Sequence, residues 1–358
     1  MMDSTKDAVP GPGKARDLHF THTNGPVDEA IDELIRAAGG IRQGEIVRQM
    51  ILAALKAGQE NQGRADLKLM NSALKEMRFT SKVFSPYKKT RKIAVFGSAR
   101  VPPAEPTYGM ARRFGRLAAQ AGYMVITGGG GGIMQAVNEG AGPDHSFGVN
   151  IRLPFEQKAN HILKGSPRHI IYKYFFTRKV AFLKEAHGVV LFPGGLGTQD
   201  EALETLTLIQ TGKHDPMPVV LIDAPGSNYW QAWRAFIKAG PLARNYIREE
   251  DLALFTSAVS PDEALAGIEQ FYRRYHSIRY VDGELVMRLR DTLPGEQLSA
   301  LIRRFKDMLV PGGTILPIEP LPAEQDDPDT LDLPRLKIDF NKKMFGRLRQ
   351  FIDCINDI

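Results

Sequence analysis

The chain has 358 residues, and 43% of them are hydrophobic, which is enough for one large core with appended segments. The formal net charge is +6, but Lys and Arg form no long run. The charge therefore gives no support for nucleic-acid binding, and phosphorylated small molecules explain a mild basic excess equally well. The single cysteine, Cys354, excludes a disulfide framework and a cysteine metal site.

The first residues of the sequence do not resemble a targeting signal. Residues 1–14 are polar with Gly and Pro, and no stretch of the chain approaches a membrane span. We therefore predict a cytoplasmic protein without a membrane partner. Residues 1–26 lack hydrophobic periodicity, which predicts a disordered tail.

Helical periodicity begins after this tail. Apolar residues recur at helical spacing over residues 27–38, 43–57 and 65–79, so we expect a helical N-terminal region over residues 27–90. The polar residues 85–91 are interpreted as a linker into the next region.

Strands and helices alternate over residues 91–276. The predicted strands lie at residues 92–96 and near Val125, Val149, Val190 and Val220. Helical segments such as residues 108–121 separate them. This alternation predicts an α/β fold with a doubly wound, Rossmann-like parallel sheet.

Residues 277–358 have a different pattern, which predicts an α+β C-terminal extension. A hairpin is expected about Asp282 and Gly283, followed by a helix over residues 295–309. A Pro-rich acidic stretch then leads to an amphipathic helix over residues 340–355.

Unusual loops follow the predicted strands. They are Gly97-Ser98-Ala99-Arg100, a run of five glycines at residues 128–132, Asn150-Ile151-Arg152 and residues 193–198. In a doubly wound sheet the ligand lies at the carboxyl ends of the strands, where the strand order reverses. The glycine run lies between a strand and a helix, which favours an anion cradle over a flexible loop.

The segment at residues 188–201 has the layout of a catalytic phosphate site. A buried strand ends at Pro193, and Gly194, Gly195 and Gly197 permit a turn that side chains would block. Thr198 is the expected N-cap of the following helix, whose dipole and open amides favour an anion. The next two carboxylates, Asp200 and Glu201, would then lie in the first helical turn, with Glu201 near the anion.

Other site classes fit less well. The loop after the first strand lacks a dinucleotide fingerprint, and no Gly-Lys-Ser or Gly-Lys-Thr occurs. The sequence has no His-Glu-x-x-His and no Gly-x-Ser-x-Gly, and no lysine lies at a strand end that would suit pyridoxal phosphate. We therefore expect no cofactor and no metal.

Two cations precede the main motif. Residues 170–183 are interpreted as an extended entry into a helix, with Arg178 and Lys179 near the helix start. Arg178 could face the pocket, or its stem could cover apolar neighbours at the surface, and the sequence alone favours the second alternative.

These motifs together resemble the Lonely Guy family, long labelled lysine decarboxylase-like. Residues 193–201 match its PGGxGTxxE signature, and Arg178-Lys179 matches the Arg-Lys pair that precedes it. The glycine run before Ile133-Met134 and the Gly97-Ser98 loop are similar to the family's other loops. The resemblance covers about residues 90–275. It departs at Gln135, where plant-like members have glycine, so no base preference is carried over.

The resemblance implies a phosphoribohydrolase that cleaves a nucleoside 5′-monophosphate into free base and ribose 5-phosphate. It implies Arg178 and Glu201 as the catalytic pair. The substrate-binding residues expected from it are Gly97, Ser98, Gly129, Gly130, Gly131, Gly194, Gly195, Gly197, Thr198, Asp200 and Lys179. The extra segments at both ends resemble the longer bacterial members, and the resemblance also implies a homo-oligomer built on a dimer.

The chemistry of these side chains agrees with that implication. Departure of a base leaves positive charge on the ribose, so the Glu201 carboxylate would stabilise the transition state and orient or deprotonate water. Arg178 has too high a pKa to act as an acid, so it suits phosphate or leaving-base binding or the positioning of Glu201. Asp200 would bind ribose hydroxyls or merely serve the helix N-terminus. The alternative function is a nucleotide-binding sensor without turnover, which the presence of both Arg178 and Glu201 disfavours.

Overall fold

The structure is a computed structural model that describes residue 20 and residues 22–60, 63–153 and 159–358. The predicted disordered tail lies outside the described residues, apart from residue 20 and residues 22–26. Within the described ranges, no helix is both long and apolar enough to cross a membrane.

The chain divides into two compact units between Leu74 and Lys75. The first unit contains α1 (Pro26–Ala38), α2 (Gly44–Glu60) and the start of α3 (Arg64–Phe84), which continues into the second unit. Helices therefore occur at all three predicted places. The predicted domain boundaries near residues 90 and 276 stay predictions.

The second unit is built on a seven-stranded parallel sheet with strand order β4-β3-β2-β1-β5-β6-β7. Its strands are β1 (Lys92–Phe96), β2 (Met124–Thr127), β3 (Ser146–Ile151), β4 (His169–Tyr172), β5 (Val189–Leu191), β6 (Val219–Ile222) and β7 (Thr256–Ala258). Its helices are α4 (Pro106–Gln120), α5 (Ile133–Ala141), α6 (Phe175–Glu185), α7 (Leu196–Gln210), α8 (Tyr229–Ile237) and α9 (Pro261–Phe271). The predicted α/β fold is confirmed.

Burial on both faces of the sheet explains why the inner strands are continuously apolar. In β1, Ile93 and Val95 join one apolar cluster, and Ala94 and Phe96 join the cluster on the opposite face. The edge strands β4 and β7 are short and partly exposed, so they carry a weaker apolar signal. The sequence analysis accordingly missed β7 and described β4 only as an extended entry into a helix.

The strand order reverses between β1 and β5. The chain winds from β1 to β4 on one side of the sheet and from β5 to β7 on the other. The loops after β1 and β5 therefore diverge above neighbouring strands and leave a crevice between them, which is where doubly wound sheets bind ligands.

The C-terminal segment forms a four-stranded antiparallel sheet with strand order β10-β11-β9-β8. Its elements are β8 (Tyr275–Val281), β9 (Glu284–Leu289), α10 (Gly295–Arg304), β10 (Ile315–Ile318), β11 (Arg335–Ile338) and α11 (Phe345–Asp357). The predicted hairpin is confirmed, because Asp282 and Gly283 link β8 to β9 with φ of 50° and 86°.

For this segment the sequence analysis missed two strands and placed the start of the last helix wrongly. The sequence analysis missed β10 and β11, which are short, and β10 contains Pro317, a residue that is confined to edge strands. The last helix begins at Phe345 rather than Phe340, because Phe340 pairs with Leu309 and Lys342 has a positive φ of 57°, which a helix does not permit.

Close packing of α4 on α5 gives a stability prediction. A Cβ atom at Gly115 of α4 would overlap the carbonyl oxygen of Val137 on α5, whereas a Cβ at Gly109 of the same helix would meet no atom within 4 Å. We expect Gly115→Ala to lower the free energy of unfolding by about 1–3 kcal/mol, since backbone must move. Gly109→Ala should raise it by about 0.5–1 kcal/mol, because alanine favours the helix. Urea unfolding of both variants measures this, and equal effects would contradict it.

Candidate functional site

A cavity of about 610 Å³ lies above the carboxyl ends of β1 and β5. Four parts of the chain line it: residues 96–100 after β1, Gly128 and Met134 around the glycine run, Phe175 and Arg178 of α6, and residues 195–201 except Gln199. The cavity is therefore at the point where the strand order reverses, as the sequence analysis expected.

The backbone of Ser98 joins three of the loops around this cavity. Its amide donates a hydrogen bond to the carbonyl oxygen of Pro193 (3.0 Å), and its carbonyl oxygen accepts one from the amide of Ile133 (3.0 Å). The loops after β1, β2 and β5 are thus held at fixed distances from one another.

The helix after β5 begins earlier than predicted. Helix α7 starts at Leu196, and its N-cap is Gly195, so the expectation that Thr198 caps it was wrong. Gly195 has extended backbone, and its carbonyl oxygen already accepts the amides of Thr198 (3.0 Å) and Gln199 (3.2 Å). The Thr198 side chain instead packs against Gly194.

The start of α7 has open hydrogen-bond donors. Within the described parts of the chain, the amides of Gly195, Leu196 and Gly197 have no acceptor. Free amides at the positive end of a helix dipole favour an anion, and Gly195 and Gly197 also line the cavity.

The five-glycine run is a fixed loop. Gly129 and Gly132 have positive φ angles of 71° and 61°, and a Cβ atom would overlap Asn150 at Gly129 and the Ser98 carbonyl at Gly132. These close approaches favour a defined loop conformation over the flexible-loop alternative. Glycine is required here for close backbone approach as well as for backbone conformation.

A buried polar network that the sequence analysis missed holds this run in place. Asn160 donates its amide to Gly129 O (2.9 Å) and its side-chain nitrogen to Gly130 O (3.1 Å) and to Asn138 (3.0 Å). Thr127 donates to Asn138 (2.8 Å) and accepts from the amide of Gly129 (3.1 Å). The only available signal was polar residues within apolar elements, which does not indicate a partner 22 residues away.

Glu201 is a buried carboxylate on the cavity wall. Its residue exposure is 5%, and its Oε2 atom accepts no hydrogen bond among the described residues. Burial raises the pKa of the Glu201 carboxyl above its ordinary value, and the charges of Lys179 and Arg178 oppose that rise. A buried carboxylate of raised pKa with an oxygen that accepts no hydrogen bond is typical of a functional group rather than a structural one.

Lys179 is held by three carboxylates. Its ammonium lies 2.8 Å from Asp200, 3.7 Å from Glu201 and in hydrogen-bond contact with Glu204. Burial alone would lower the pKa of Lys179, but the hydrogen bonds to Asp200 and Glu204 and the charge of Glu201 raise it above its ordinary value. Lys179 therefore stays charged and partly neutralises the acidic wall.

Arg178 lies on the cavity rather than on the outer surface. Its Nε atom donates to the carbonyl oxygen of Val149 (2.8 Å), and its guanidinium packs against the α-carbon of Gly128. Burial lowers the pKa of Arg178, and the charge of Glu201 opposes this. The surface alternative that the sequence favoured is thus not the arrangement found.

Most of the predicted site residues share this cavity. Those that line it are Gly97, Ser98, Arg178, Gly195, Gly197, Thr198, Asp200 and Glu201. Gly129, Lys179 and Gly194 are not on its lining but are next in sequence to residues that are, whereas Gly130 and Gly131 are neither on the lining nor next to it in sequence. The sequence analysis missed the apolar wall, where Phe175 and Leu196 are 52% and 90% exposed. The assigned roles of the predicted residues stay predictions.

Comparison with known proteins places this cavity in a family context. Residues 131–268 match a family model described as "Possible lysine decarboxylase". A probable cytokinin riboside 5′-monophosphate phosphoribohydrolase of Oryza sativa subsp. japonica is 31% identical over 101 residues, which are 28% of this chain and 44% of the rice protein. An Arabidopsis thaliana protein with the same descriptive name is 29% identical over 152 residues, 41% of this chain and 72% of that protein.

One solved structure with a similar segment is the molybdenum cofactor carrier protein of Chlamydomonas reinhardtii. It is 22% identical, and the match covers 51% of this chain and 97% of that chain with a TM-score of 0.36. The match to the rice relative spans less than half of that protein's length.

The raised pKa of Glu201 gives a second stability prediction. Above its ordinary value of 4.5, the unfolded chain ionises this carboxyl while the folded chain still resists ionisation, so stability falls as pH rises through that range. Glu201→Gln should therefore raise the free energy of unfolding at pH 8 by about 0.5–2 kcal/mol, with the gain vanishing near pH 4. Urea unfolding at both pH values measures it.

The matched control for this prediction is Glu204→Gln, which removes the negative charge of another carboxylate beside Lys179 but keeps an oxygen that can accept its hydrogen bond. It should give no comparable gain at pH 8. A Glu201→Gln variant that is less stable than the wild type at pH 8 would contradict the prediction.

Proposed function

We propose that the chain is a member of the Lonely Guy family and that it hydrolyses the N-glycosidic bond of a nucleoside 5′-monophosphate. Water attacks C1′ of the ribose, the bond from C1′ to the base nitrogen breaks, and the base leaves with a proton. The products are the free base and ribose 5-phosphate. The observation that carries this proposal is the buried Glu201 carboxylate, whose Oε2 accepts no hydrogen bond, on the same cavity as the open amides of α7.

The 5′-phosphate would bind at the glycine turn. The open amides of Gly195, Leu196 and Gly197 and the positive end of α7 supply donors and dipole for a dianion. Binding the phosphate there uses interaction energy remote from the reacting bond to fix the position of the sugar.

Glu201 would act on the anomeric carbon and on water. Loss of the base builds positive charge on the ribose ring, which a buried carboxylate stabilises strongly because little water screens it. The raised pKa of Glu201 also makes it a better acceptor of the proton from the attacking water.

Arg178 would bind an anion rather than transfer a proton. Even with its pKa lowered by burial, an arginine keeps its charge at neutral pH. The hydrogen bond to Val149 leaves the outer nitrogens of the guanidinium free to orient, so Arg178 could hold a phosphate oxygen or the departing base.

The charge state of Lys179 disfavours the decarboxylase description attached to the family. A lysine that forms a Schiff base needs a lowered pKa, so that its amine is neutral. The pKa of Lys179, the lysine nearest Glu201, is raised. Lys179 is therefore suited to charge balance and not to nucleophilic attack.

Which nucleoside 5′-monophosphates the protein accepts is also part of the proposal. The curated relatives are named for cytokinin riboside 5′-monophosphate, while the open apolar wall of Phe175 and Leu196 would accept a range of purine or pyrimidine bases. A homo-oligomer built on a dimer and a cytoplasmic location stay predictions from the sequence.

A nucleotide panel tests the proposed reaction. Purified protein is incubated with AMP, GMP, CMP, UMP and IMP, and free base is followed by chromatography. We expect base release from at least one of them, with Glu201→Gln about 10²–10⁴-fold slower because the acid–base group is lost. Binding of a nucleotide without any base release would favour the sensor alternative. Equal turnover by the variant would contradict the role of Glu201.

The charge of Lys179 beside Glu201 leads to a prediction for the pH dependence of this reaction. Its positive charge lowers the pKa of Glu201, so Lys179→Met should raise that pKa further. If ionised Glu201 accepts the proton, activity falls as pH drops below this pKa, and the acid limb of kcat/KM moves to higher pH in the variant. Lys184 is an exposed lysine on the same helix, and Lys184→Met should leave the acid limb of kcat/KM at its wild-type pH. A shift to lower pH would contradict the assignment.

A further inference from the structure

The hydroxyl of Tyr229 bridges both sides of the glycine turn after β5. It donates a hydrogen bond to the carbonyl oxygen of Gly194 at 2.5 Å and accepts one from the side-chain nitrogen of Gln199. Gly194 precedes the open amides, and Gln199 lies in the first turn of α7, two positions before Glu201. One side chain therefore fixes the segment that carries both the amides and the carboxylate.

Tyr229 is itself held at the end of the neighbouring strand β6. Asp223 accepts hydrogen bonds from Ser227 (2.8 Å) and from the amide of Trp230 (3.0 Å), and Ser227 accepts one from the amide of Tyr229 (3.3 Å). The Tyr229 ring packs edge-on against the buried Trp230 at 4.9 Å. The position of the hydroxyl is thus set by a hydrogen-bonded turn and by a core side chain.

The glycine turn lacks side chains that could fix it from within. Leu196 is the one residue of 194–197 with a side chain, and that side chain is 90% exposed. Glycine has more backbone freedom than any other residue, so an open turn of this composition loses order easily. A contact from outside the turn is the remaining way to keep its amides converged.

We propose that Tyr229 is a positioning residue, which holds the glycine turn and the start of α7 so that the amides meet the phosphate while Glu201 meets the sugar. Tyr229 does not line the cavity and acts through Gly194 and Gln199. The kinetic part of this inference rests on the proposed function. The ordering of the turn is independent of it.

Tyr229→Phe removes only the hydroxyl and keeps the ring against Trp230. We expect kcat/KM for the best nucleotide of the panel to fall about tenfold, because small displacements of a positioned group are costly in rate. The affinity for ribose 5-phosphate, measured by calorimetry, should fall by a similar factor. Tyr246→Phe is the matched control, since Tyr246 is 78% exposed and should change neither value.

Two further measurements distinguish a positioning role of Tyr229 from a role in the stability of the whole fold. Hydrogen exchange of the hydrogen-bonded backbone amides at residues 198–201 should be faster in Tyr229→Phe, while exchange in β1 and β2 and the thermal midpoint stay close to wild type. Gln199→Met removes the other partner of the hydroxyl, and its effect combined with Tyr229→Phe should be less than the sum of the two single effects.

The outcomes distinguish this inference from the proposed function. Faster exchange confined to residues 198–201 supports the positioning role of Tyr229 even if the wild-type protein releases no base, a result that would refute the proposed function alone. Unchanged exchange and unchanged ribose 5-phosphate affinity in Tyr229→Phe would overturn the positioning role of Tyr229 whether or not the wild type is active. A general rise in exchange across the sheet would also overturn it, by showing a purely structural role.

Discussion

The backbone of Ser98 is the link on which the site depends. Its amide and carbonyl bind the loops after β5 and β2, so three strand ends are joined at one residue. This junction also explains several of the glycines. A Cβ atom at Gly97 would lie 2.8 Å from Ile133, and one at Gly194 would lie 2.9 Å from the Ser98 amide. The glycines therefore permit the loops to meet as well as leave donors open for a ligand.

Glu201 is a buried carboxylate on the same cavity, and its burial does not stabilise the fold. Glu201 has one oxygen without a hydrogen bond, and its raised pKa means that ionisation costs folding free energy at neutral pH. Another buried acid of this chain, Glu324, has a different environment. Glu324 is fully buried but bound by Arg288 and Arg335, and these partners lower its pKa although burial alone would raise it. The contrast between Glu324 and Glu201 separates an acid that supports the fold from one that has the environment of a functional group.

The sequence predicted those parts of the molecule that depend on local pattern. The inner strands are buried on both faces and carry unbroken apolar runs, and the glycine turns follow them directly, so both could be located. Contacts between distant segments could not. Asn160 and Tyr229 act on turns 30 and 35 residues away through single hydrogen bonds, and no periodicity marks such residues. The prediction that Thr198 is the N-cap of α7 was wrong for a related reason. The residue type of Thr198 suits an N-cap, but Gly195 occupies that position.

Charged and polar groups of both signs lie around the cavity. The open amides of α7 and the guanidinium of Arg178 present positive potential, while Asp200, Glu201 and Glu204 outnumber the single ammonium of Lys179 between them. The carboxylates would repel a simple anion, and Arg178 would repel a simple cation. In the proposed reaction, a molecule with a fixed phosphate and a ring that becomes positive as a bond breaks would interact with both sets of groups, and more strongly in the transition state than in the ground state. This mixture of charges is the physical reason for proposing a ribosyl phosphate rather than a plain phosphate as the ligand.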